Sequence, residues 1–480
     1  MSEMADLIYF RIQTQMLPYL IFVFISVSGV LSGRSCYWNA QCSFQLYSSK
    51  TPYDTVRGDI RDQPNLPNCE AVSAWTLNRH GNRNPGDSVI DDIKVIIGLK
   101  DEIISSYEAG SSQLCSQDIE NLRRWSWNET IDASASFLTG TGYEELYGIG
   151  KRLREKYPQL LPSSNDSYYF RTTNEQRTVT SSKAFVHGFT DNTNLSLSVD
   201  GPWDRDDLIR PYENCEKYQV ETKASQELDD QLTAYYSSAE FIAVQNNVQQ
   251  RLGINTKLSS NDIYSIYELC RFDRSWTPTL KSPWCSVFTD DDLVVLEYED
   301  DVWHYYRNGY GSWVNVRLGG PVLKDMFDNF EAVVQGGGRK IVSYFTHDTM
   351  LEMTFSALGL YKDDFVLEGI RRQPNRKWRT SYISSFSVNI IAVLNRCHES
   401  DGQSYRVQLF VNEDETELCP PEGCTWEEFE RKFASYTSSL DFCSLDYANP
   451  NLASLSSNAR INGIGPIVFL IQLLIVCLWR

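Results

Sequence analysis

Apolar positions along the middle of the chain come alternately in short compact runs and in longer stretches at helical spacing. Residues 71–77 form one such run, stop at Asn78 and predict a buried strand. Residues 89–107 follow, with Ile90, Ile93, Ile97 and Ile103 on a helical period, so strand, loop and helix succeed one another. Residues 142–157 predict a second helix, with Leu146, Ile149 and Leu153 on one face and Pro158 as its stop. Tyr168–Thr172 predicts a short strand, and residues 175–189 a helix ending near Gly188. KIVSYF, residues 340–345, is another compact apolar run; Thr346, His347 and Asp348 follow it, just before the helical pattern of Met350, Met353 and Phe355. Residues 384–395 and 405–411 read as two strands joined through the polar HESDGQS segment.

Strands interleaved with helices predict an α/β sheet, and in such sheets ligands gather at the carboxyl ends of the strands. Arg79, His80 and His347 all fall at such ends. Residues 202–337, rich in Trp and Tyr and mostly helical in pattern, read as a large insertion over the same edge. The core is then expected at about 60–200 and 338–445, within one domain of residues 36–445. No internal repeat, low-complexity tract or obvious linker interrupts it.

With 480 residues, 42% of them hydrophobic, the chain can bury a large core. Its net charge of -19 argues against general affinity for nucleic acid or an anionic membrane surface, so an anionic ligand needs a local basic pocket. Twelve cysteines, at 36, 42, 69, 115, 215, 270, 285, 397, 419, 424, 443 and 477, contain no CxxC pair and no zinc-like spacing. Disulfides in an oxidising compartment are expected, and the glycosylation sequons at Asn128, Asn165 and Asn194 agree with that compartment. Residues 1–32 read as a signal peptide with an apolar run from Met16, cut between about residues 28 and 35; an uncleaved anchor is the alternative. Residues 456–480 read as a GPI-attachment signal, with Ser456 or Ser457 as attachment site and an apolar tail at 467–478; a single-pass anchor is the alternative. The expected location is the secretory pathway and the cell surface.

AWTLNRHGNRNPGD, residues 74–87, concentrates positive charge in this acidic chain, which has only five histidines. A phosphate monoester carries nearly two negative charges; displacing it needs donors on the non-bridging oxygens and a nucleophile in line with the leaving oxygen. Arginine forks suit the oxygens, and a free imidazole nitrogen is nucleophilic at neutral pH without a separate base. A turn projecting Arg79, His80 and Arg83, with Gly81 allowing close backbone approach, supplies both.

RHGNRNP, residues 79–85, resembles the RHGxRxP signature of the histidine acid phosphatases, and FTHDTML, residues 345–351, resembles their HD motif. Five fixed residues at that spacing arise by chance in about one chain of this length in ten thousand. FRTTNEQRTVTSSKAFVHGF, residues 170–189, is similar to the segment that contributes another phosphate-binding arginine, by position Arg177, with Arg171 as competitor. Residues 282–311, SPWCSVFTDDDLVVLEYEDDVWHYYRNGYG, resemble the multiple inositol polyphosphate phosphatases within that family. The similarity covers most of residues 69–397.

The resemblance implies a doubly wound α/β core with a mainly helical cap, as in the phosphoglycerate mutase-like proteins; the sequence carries no metal, nucleotide or flavin signal, and the expected mechanism needs none. It implies that His80 takes the phosphoryl group, that Arg79, Arg83, Arg177 and His347 hold its oxygens, and that Asp348 protonates the leaving alkoxide. Inositol polyphosphates such as phytate are the implied substrates, with 2,3-bisphosphoglycerate as a side activity. The branch usually has His-Ala-Glu where this chain has His347-Asp348-Thr349, so Glu352 is a second candidate for the donor.

Lys94, Lys100, Lys183, Arg371 and Arg372 are candidates for contacts to outer phosphates. His187, His304 and His398 read as structural or exposed, and the acidic stretches at 289–292 and 297–301 as solvated faces without EF-hand spacing. Two competing functions are a catalytically dead surface ectodomain that binds a partner, and a phosphatase for phosphoproteins or small monoesters.

Overall fold

The structure, a computed structural model, describes residue 36 and residues 46–161, 167–190, 197–277, 282–400 and 402–447. The expected leader, the lipid-attachment region with Ser456 and Ser457, the sequon residues Asn165 and Asn194, and Cys42 and Cys477 lie outside the described residues.

In chain order, β1 (Cys69–Arg79) leads through α1 (Asp87–Ile97), α2 (Lys100–Glu108) and α3 (Ser116–Arg124) to α4 (Gly140–Lys156). β2 (Tyr168–Thr172) runs into α5 (Gln176–Thr190), and a long helical stretch follows: α6 (Gln226–Tyr236), α7 (Ala239–Leu252), α8 (Ser260–Trp276) and α9 (Asp290–Asn308). The chain returns through α10 (Trp313–Leu318) and α11 (Gly320–Val334) to β3 (Ile341–Thr346) and α12 (Asp348–Leu358). After α13 (Thr380–Ile383) come β4 (Asn389–Glu399), β5 (Gly402–Val411), β6 (Asp414–Glu415), β7 (Cys424–Thr425) and α14 (Trp426–Phe433).

The strands form one mixed sheet in the order β2-β3-β1-β4-β5-β6, with β7 beside β5. β2 and β1 flank β3 in parallel, and β4 and β5 extend the sheet by antiparallel pairing. Strand alternation sends successive side chains to opposite faces. Ala74, Ile341, Phe345, Ile391 and Val393 pack on one face with Leu146, Ile149 and Leu153 of α4 and Phe185 and Phe189 of α5. Trp75, Leu77, Val342, Tyr344 and Ile390 pack on the other with Met326, Phe327 and Phe330 of α11 and Met350 and Met353 of α12. Helices on both faces make this the expected doubly wound α/β core.

β1 outruns its apolar run because both ends are tied: Cys69 is disulfide-bonded to Cys397 on β4, and Arg79 pairs with Thr346 of β3. The helix expected over residues 89–107 is two, broken at Gly98, whose N–H already closes the end of α1 on the carbonyls of Lys94 and Ile96. α1 packs on α8, and α2 packs on α3 and α7, so these early helices join the helical layer built by α6–α9, whereas α11 lies against β1 and α12.

The acidic stretch at 297–301 is not a solvated face. Glu297 and Asp301 are fully buried, with Arg376 2.8 Å and Arg379 2.9 Å from Glu297, Arg376 also bonded to Asp301, and Asp300 paired with Arg271. Asp292 of the other stretch is buried as well and closes a capping box with Thr289 at the start of α9. The ten described cysteines form five disulfides, Cys36–Cys115, Cys69–Cys397, Cys215–Cys443, Cys270–Cys285 and Cys419–Cys424.

Candidate active site

β1 and β3 are neighbours and parallel, so they end on the same edge of the sheet. The ladder runs out at Arg79 and Thr346, and the next two residues, His80 and His347, leave it side by side with ring centroids 5.6 Å apart. The His80 N–H still donates to the Thr346 carbonyl at 3.0 Å. β2 ends beside them and delivers Thr173 and then Arg177 in the first turn of α5.

Arg79 is 1% exposed, and its Nη1 donates to the carbonyls of Ser49 at 2.7 Å and Ser384 at 2.6 Å while its Nη2 pairs with Asp348 Oδ2 at 2.8 Å. His80 is also buried, with Nδ1 2.9 Å from the Gly81 carbonyl. A carbonyl only accepts, so Nδ1 carries the proton and Nε2 the lone pair. Gly81 is required by a neighbour: a Cβ there would lie 2.3 Å from the carbonyl oxygen of Gly142 on α4. The close backbone approach expected at this glycine is thus, in this structure, an approach to a helix. Arg83 lies over the Phe272 ring of α8.

His347 has Nδ1 3.4 Å from Arg177 Nη2 and Nε2 3.2 Å from Thr173 Oγ1, whose own proton goes to Thr178. A guanidinium cannot accept, so the ring is neutral with its proton on Nε2. Asp348 opens α12 and accepts from the Thr349 N–H at 2.9 Å. Glu352, one turn deeper, does not reach the cavity. It is fully buried and accepts from His304, from Asn308 at 2.8 Å and from the Ser384 hydroxyl. Arg171 is likewise committed elsewhere, paired with Asp206 at 2.8 Å.

The electrostatics of the site are those of crowded cations. Burial first, then Arg79, Arg177, His347 and Arg83, hold the His80 imidazole well below its usual range, and burial with Arg177 does the same to His347. Burial and repulsion from Arg177 and Arg79 bring Arg83 down to about 10. Burial pushes the Asp348 carboxyl up, but Arg79, His304, His347 and Arg83 outweigh it and keep the group ionised. His304 moves the other way from the pocket histidines: burial lowers it, yet the Glu352 carboxylate more than compensates. Following ring protons by NMR against pH, His80 is expected to stay neutral through about 6.5, where an unperturbed imidazole is half protonated, while His304 titrates above that value. A His80 midpoint near the ordinary value would contradict this electrostatic picture.

The cavity, about 290 Å³, is lined by His80, Arg83, Arg177, His347, Asp348 and Thr349 from the core loops, together with Arg210, Lys223 and Arg307. Lys223 ends a π-helical turn at Tyr218–Lys223, and Arg307 sits in the last turn of α9. Glu175 and Glu213 also line it and partner Arg177 and Arg210, at 3.4 Å in each case. None of the five outer basic residues singled out from sequence is in this wall. Lys94 pairs with Asp132, Lys100 donates to the carbonyls of Arg123 and Trp125, Arg372 pairs with Glu240, and Lys183 and Arg371 are exposed. His187 bonds Tyr143 at the surface and His398 is exposed, so neither lines the cavity.

Residues 72–412 match the family described as the histidine phosphatase superfamily (branch 2). Multiple inositol polyphosphate phosphatase 1 of Drosophila melanogaster is 31% identical over 432 residues, covering 86% of this chain and 90% of that protein. The Homo sapiens protein of the same name is 26% identical over 402 residues, covering 76% and 81%. Among solved structures, the phytase from D. castellii superposes with a TM-score of 0.67 at 15% identity, over 88% of this chain and 96% of that one. Bifidobacterium longum multiple inositol polyphosphate phosphatase in complex with inositol hexasulfate does so with 0.59 at 14% identity, over 78% and 94%. With its family match spanning both strand-end loops and most of the chain, the protein belongs to branch 2 of the histidine phosphatase superfamily.

Proposed function

We propose that this histidine phosphatase removes phosphates from inositol polyphosphates, phytate among them, through a phosphohistidine on His80. The observation that carries the reading is the lining of one cleft by Arg83, Arg177, Arg210, Lys223 and Arg307 around two neutral histidines, in a chain of net charge -19. A monoester needs only the cations around the reacting phosphorus; the additional ones in the same lining suit a ligand with further phosphates. The names of the relatives, and the inositol hexasulfate bound by the Bifidobacterium neighbour, point the same way.

In this mechanism the His80 Nε2 lone pair attacks phosphorus while the bond to the inositol oxygen breaks. Arg83 and Arg177, which line the cavity, take the charge on the non-bridging oxygens; Arg79, 1% exposed and outside that lining, joins them only through the Nη2 it shares with Asp348. The incoming phosphate offsets the arginine charge that keeps Asp348 ionised, so its carboxyl gains a proton and passes it to the departing oxygen. Water then attacks the phosphohistidine, Asp348 accepts the water proton, the P–N bond breaks and inorganic phosphate leaves with His80 restored. His347 orients Arg177 through its Nδ1. It donates to a phosphate oxygen from Nδ1 only when it carries a second proton, which the negative ligand favours.

The test compares phosphate release from phytate and from p-nitrophenyl phosphate by the wild type and by a Lys223→Ala, Arg307→Ala double variant. The expected result is a KM for phytate raised by about tenfold or more, with the KM for the nitrophenyl ester changed by less than about twofold. Equal changes for both substrates would discard the polyphosphate reading and leave a general acid phosphatase. No release from either substrate by folded wild type would favour the binding ectodomain. 2,3-Bisphosphoglycerate is proposed as a secondary substrate. We also propose secretory-pathway display at the cell surface through a lipid anchor; the five disulfides and the exposed sequon residue Asn128 support the compartment.

A further inference from the structure

Against the His80 turn, and outside the cavity lining, lies a carboxylate that the mechanism does not use. Glu145 of α4 is 7% exposed. One oxygen, Oε2, accepts from the Asn82 N–H at 2.9 Å and the Ser387 hydroxyl at 2.8 Å, and Oε1 accepts from the Tyr53 N–H at 3.4 Å. These partners bracket the nucleophile. Asn82 is two residues beyond His80 on the same turn, and the Ser387 N–H donates to the His80 carbonyl at 3.1 Å. The neighbouring Val388 carbonyl accepts from the Arg79 N–H at 2.9 Å, and Phe386 lies under the Arg79 guanidinium and beside the His80 ring.

Ser387 holds a left-handed backbone with φ 57°, which costs a residue with a Cβ about 1–2 kcal/mol unless its surroundings impose it. Its hydroxyl bond to Glu145 and the bond from Asn389 Nδ2 to its carbonyl, 3.0 Å, impose it here. α4 itself is seated against the turn by the Gly81–Gly142 contact, so the carboxylate is delivered by a helix that cannot shift without moving the turn.

We propose that Glu145 is a positioning residue for the nucleophile, a buried acceptor that ties the Asn82 turn to the Ser387 turn and so fixes the line of attack of His80. The role is one of geometry. A glutamine whose amide oxygen takes the Oε2 position keeps both short bonds and gives up only the long one to Tyr53. The inference rests on the nucleophilic role proposed for His80, and a misplaced reacting atom is costly, since an error of about 1 Å can lose about 100-fold in rate.

The experiment measures kcat and KM on p-nitrophenyl phosphate for Glu145→Ala, Glu145→Gln, Ser387→Ala and the Glu145→Gln, Ser387→Ala double variant, with His80→Ala alongside. Rates are referred to protein shown to be folded by circular dichroism. Glu145→Ala is expected to lower kcat by roughly 10- to 100-fold with KM within about threefold, because Arg83 and Arg177 are untouched. Glu145→Gln is expected to remain within about threefold of wild type, and the double variant to be no slower than Ser387→Ala. Should Glu145→Ala not fold, Ser387→Ala carries the test, with an expected loss of several-fold in kcat at unchanged KM. Wild-type kcat in folded Glu145→Ala or Ser387→Ala, or a Glu145→Gln as slow as the alanine variant, would overturn the proposal. Activity persisting in His80→Ala would instead overturn the nucleophile reading on which it rests.

Discussion

Replacing His80 with alanine is expected to lower kcat on every phosphomonoester by at least about four orders of magnitude, with the fold retained. The size follows from the role: the lone pair on Nε2 is the group that bonds to phosphorus, and the neighbouring imidazole cannot replace it. His347 has its own Nε2 proton committed to Thr173 and its lone pair turned toward Arg177. The fold should survive because the sheet-edge bonds at this position are made by the His80 backbone, to Thr346 and Ser387, rather than by its ring. Steady-state assays on phytate and p-nitrophenyl phosphate, with circular dichroism on the same sample, check this. A loss below about tenfold would assign the nucleophile elsewhere.

Asp348→Asn carries the second large effect, and it depends on the leaving group. An inositol alkoxide needs a proton as its bond to phosphorus breaks, whereas nitrophenolate leaves without one. The expected result is a fall in the first-step rate on phytate of about 100- to 10,000-fold, against a much smaller fall on p-nitrophenyl phosphate, measured by single-turnover quench. The sign with pH is fixed by the same argument. Asp348 must be protonated in the complex, so the phytate rate falls as pH rises through its bound-state pKa, and this descending limb is absent for the nitrophenyl ester. Equal losses on both substrates would reduce Asp348 to a holder of Arg79, which it contacts at 2.8 Å.

Much of the site was legible in the sequence because its residues sit immediately after two apolar runs. The runs at 71–77 and 340–345 became β1 and β3, adjacent and parallel, and that pairing alone brings His80 and His347 together. Arg177 came from the resemblance of residues 170–189 to the family's segment, and the structure places it in the first turn of α5, after β2. Local pattern could not supply residues placed by tertiary packing. Arg307 looks like an ordinary charged residue in the last turn of a helix, and it meets the cavity only because of how α9 is seated against the core. Lys223 depends on a π-helical turn that no apolar period announces.

Glu352, the second candidate for the donor, lies outside the cavity for a geometric reason. Four residues along a helix keep the same face but move about 6 Å deeper, which carried its carboxylate past the cavity to His304 and Asn308. Glu297 and Asp301 read as solvated because their partners Arg376 and Arg379 lie far along the chain, where no short-range charge pattern links them. Glu145 was hidden in an amphipathic helix, whose packing on the His80 loop at the Gly81–Gly142 contact accompanies its bond to the Asn82 N–H.

The most direct test of the account is to catch the covalent intermediate. Wild-type protein mixed with excess phytate is quenched in alkali during steady-state turnover, because phosphohistidine is labile in acid, and the peptide holding residues 79–83 is sequenced by mass spectrometry. The account expects one phosphoryl group on His80, present in the wild type and absent in His80→Ala. An unmodified His80 during rapid turnover, or a phosphoryl group on His347 instead, would contradict it.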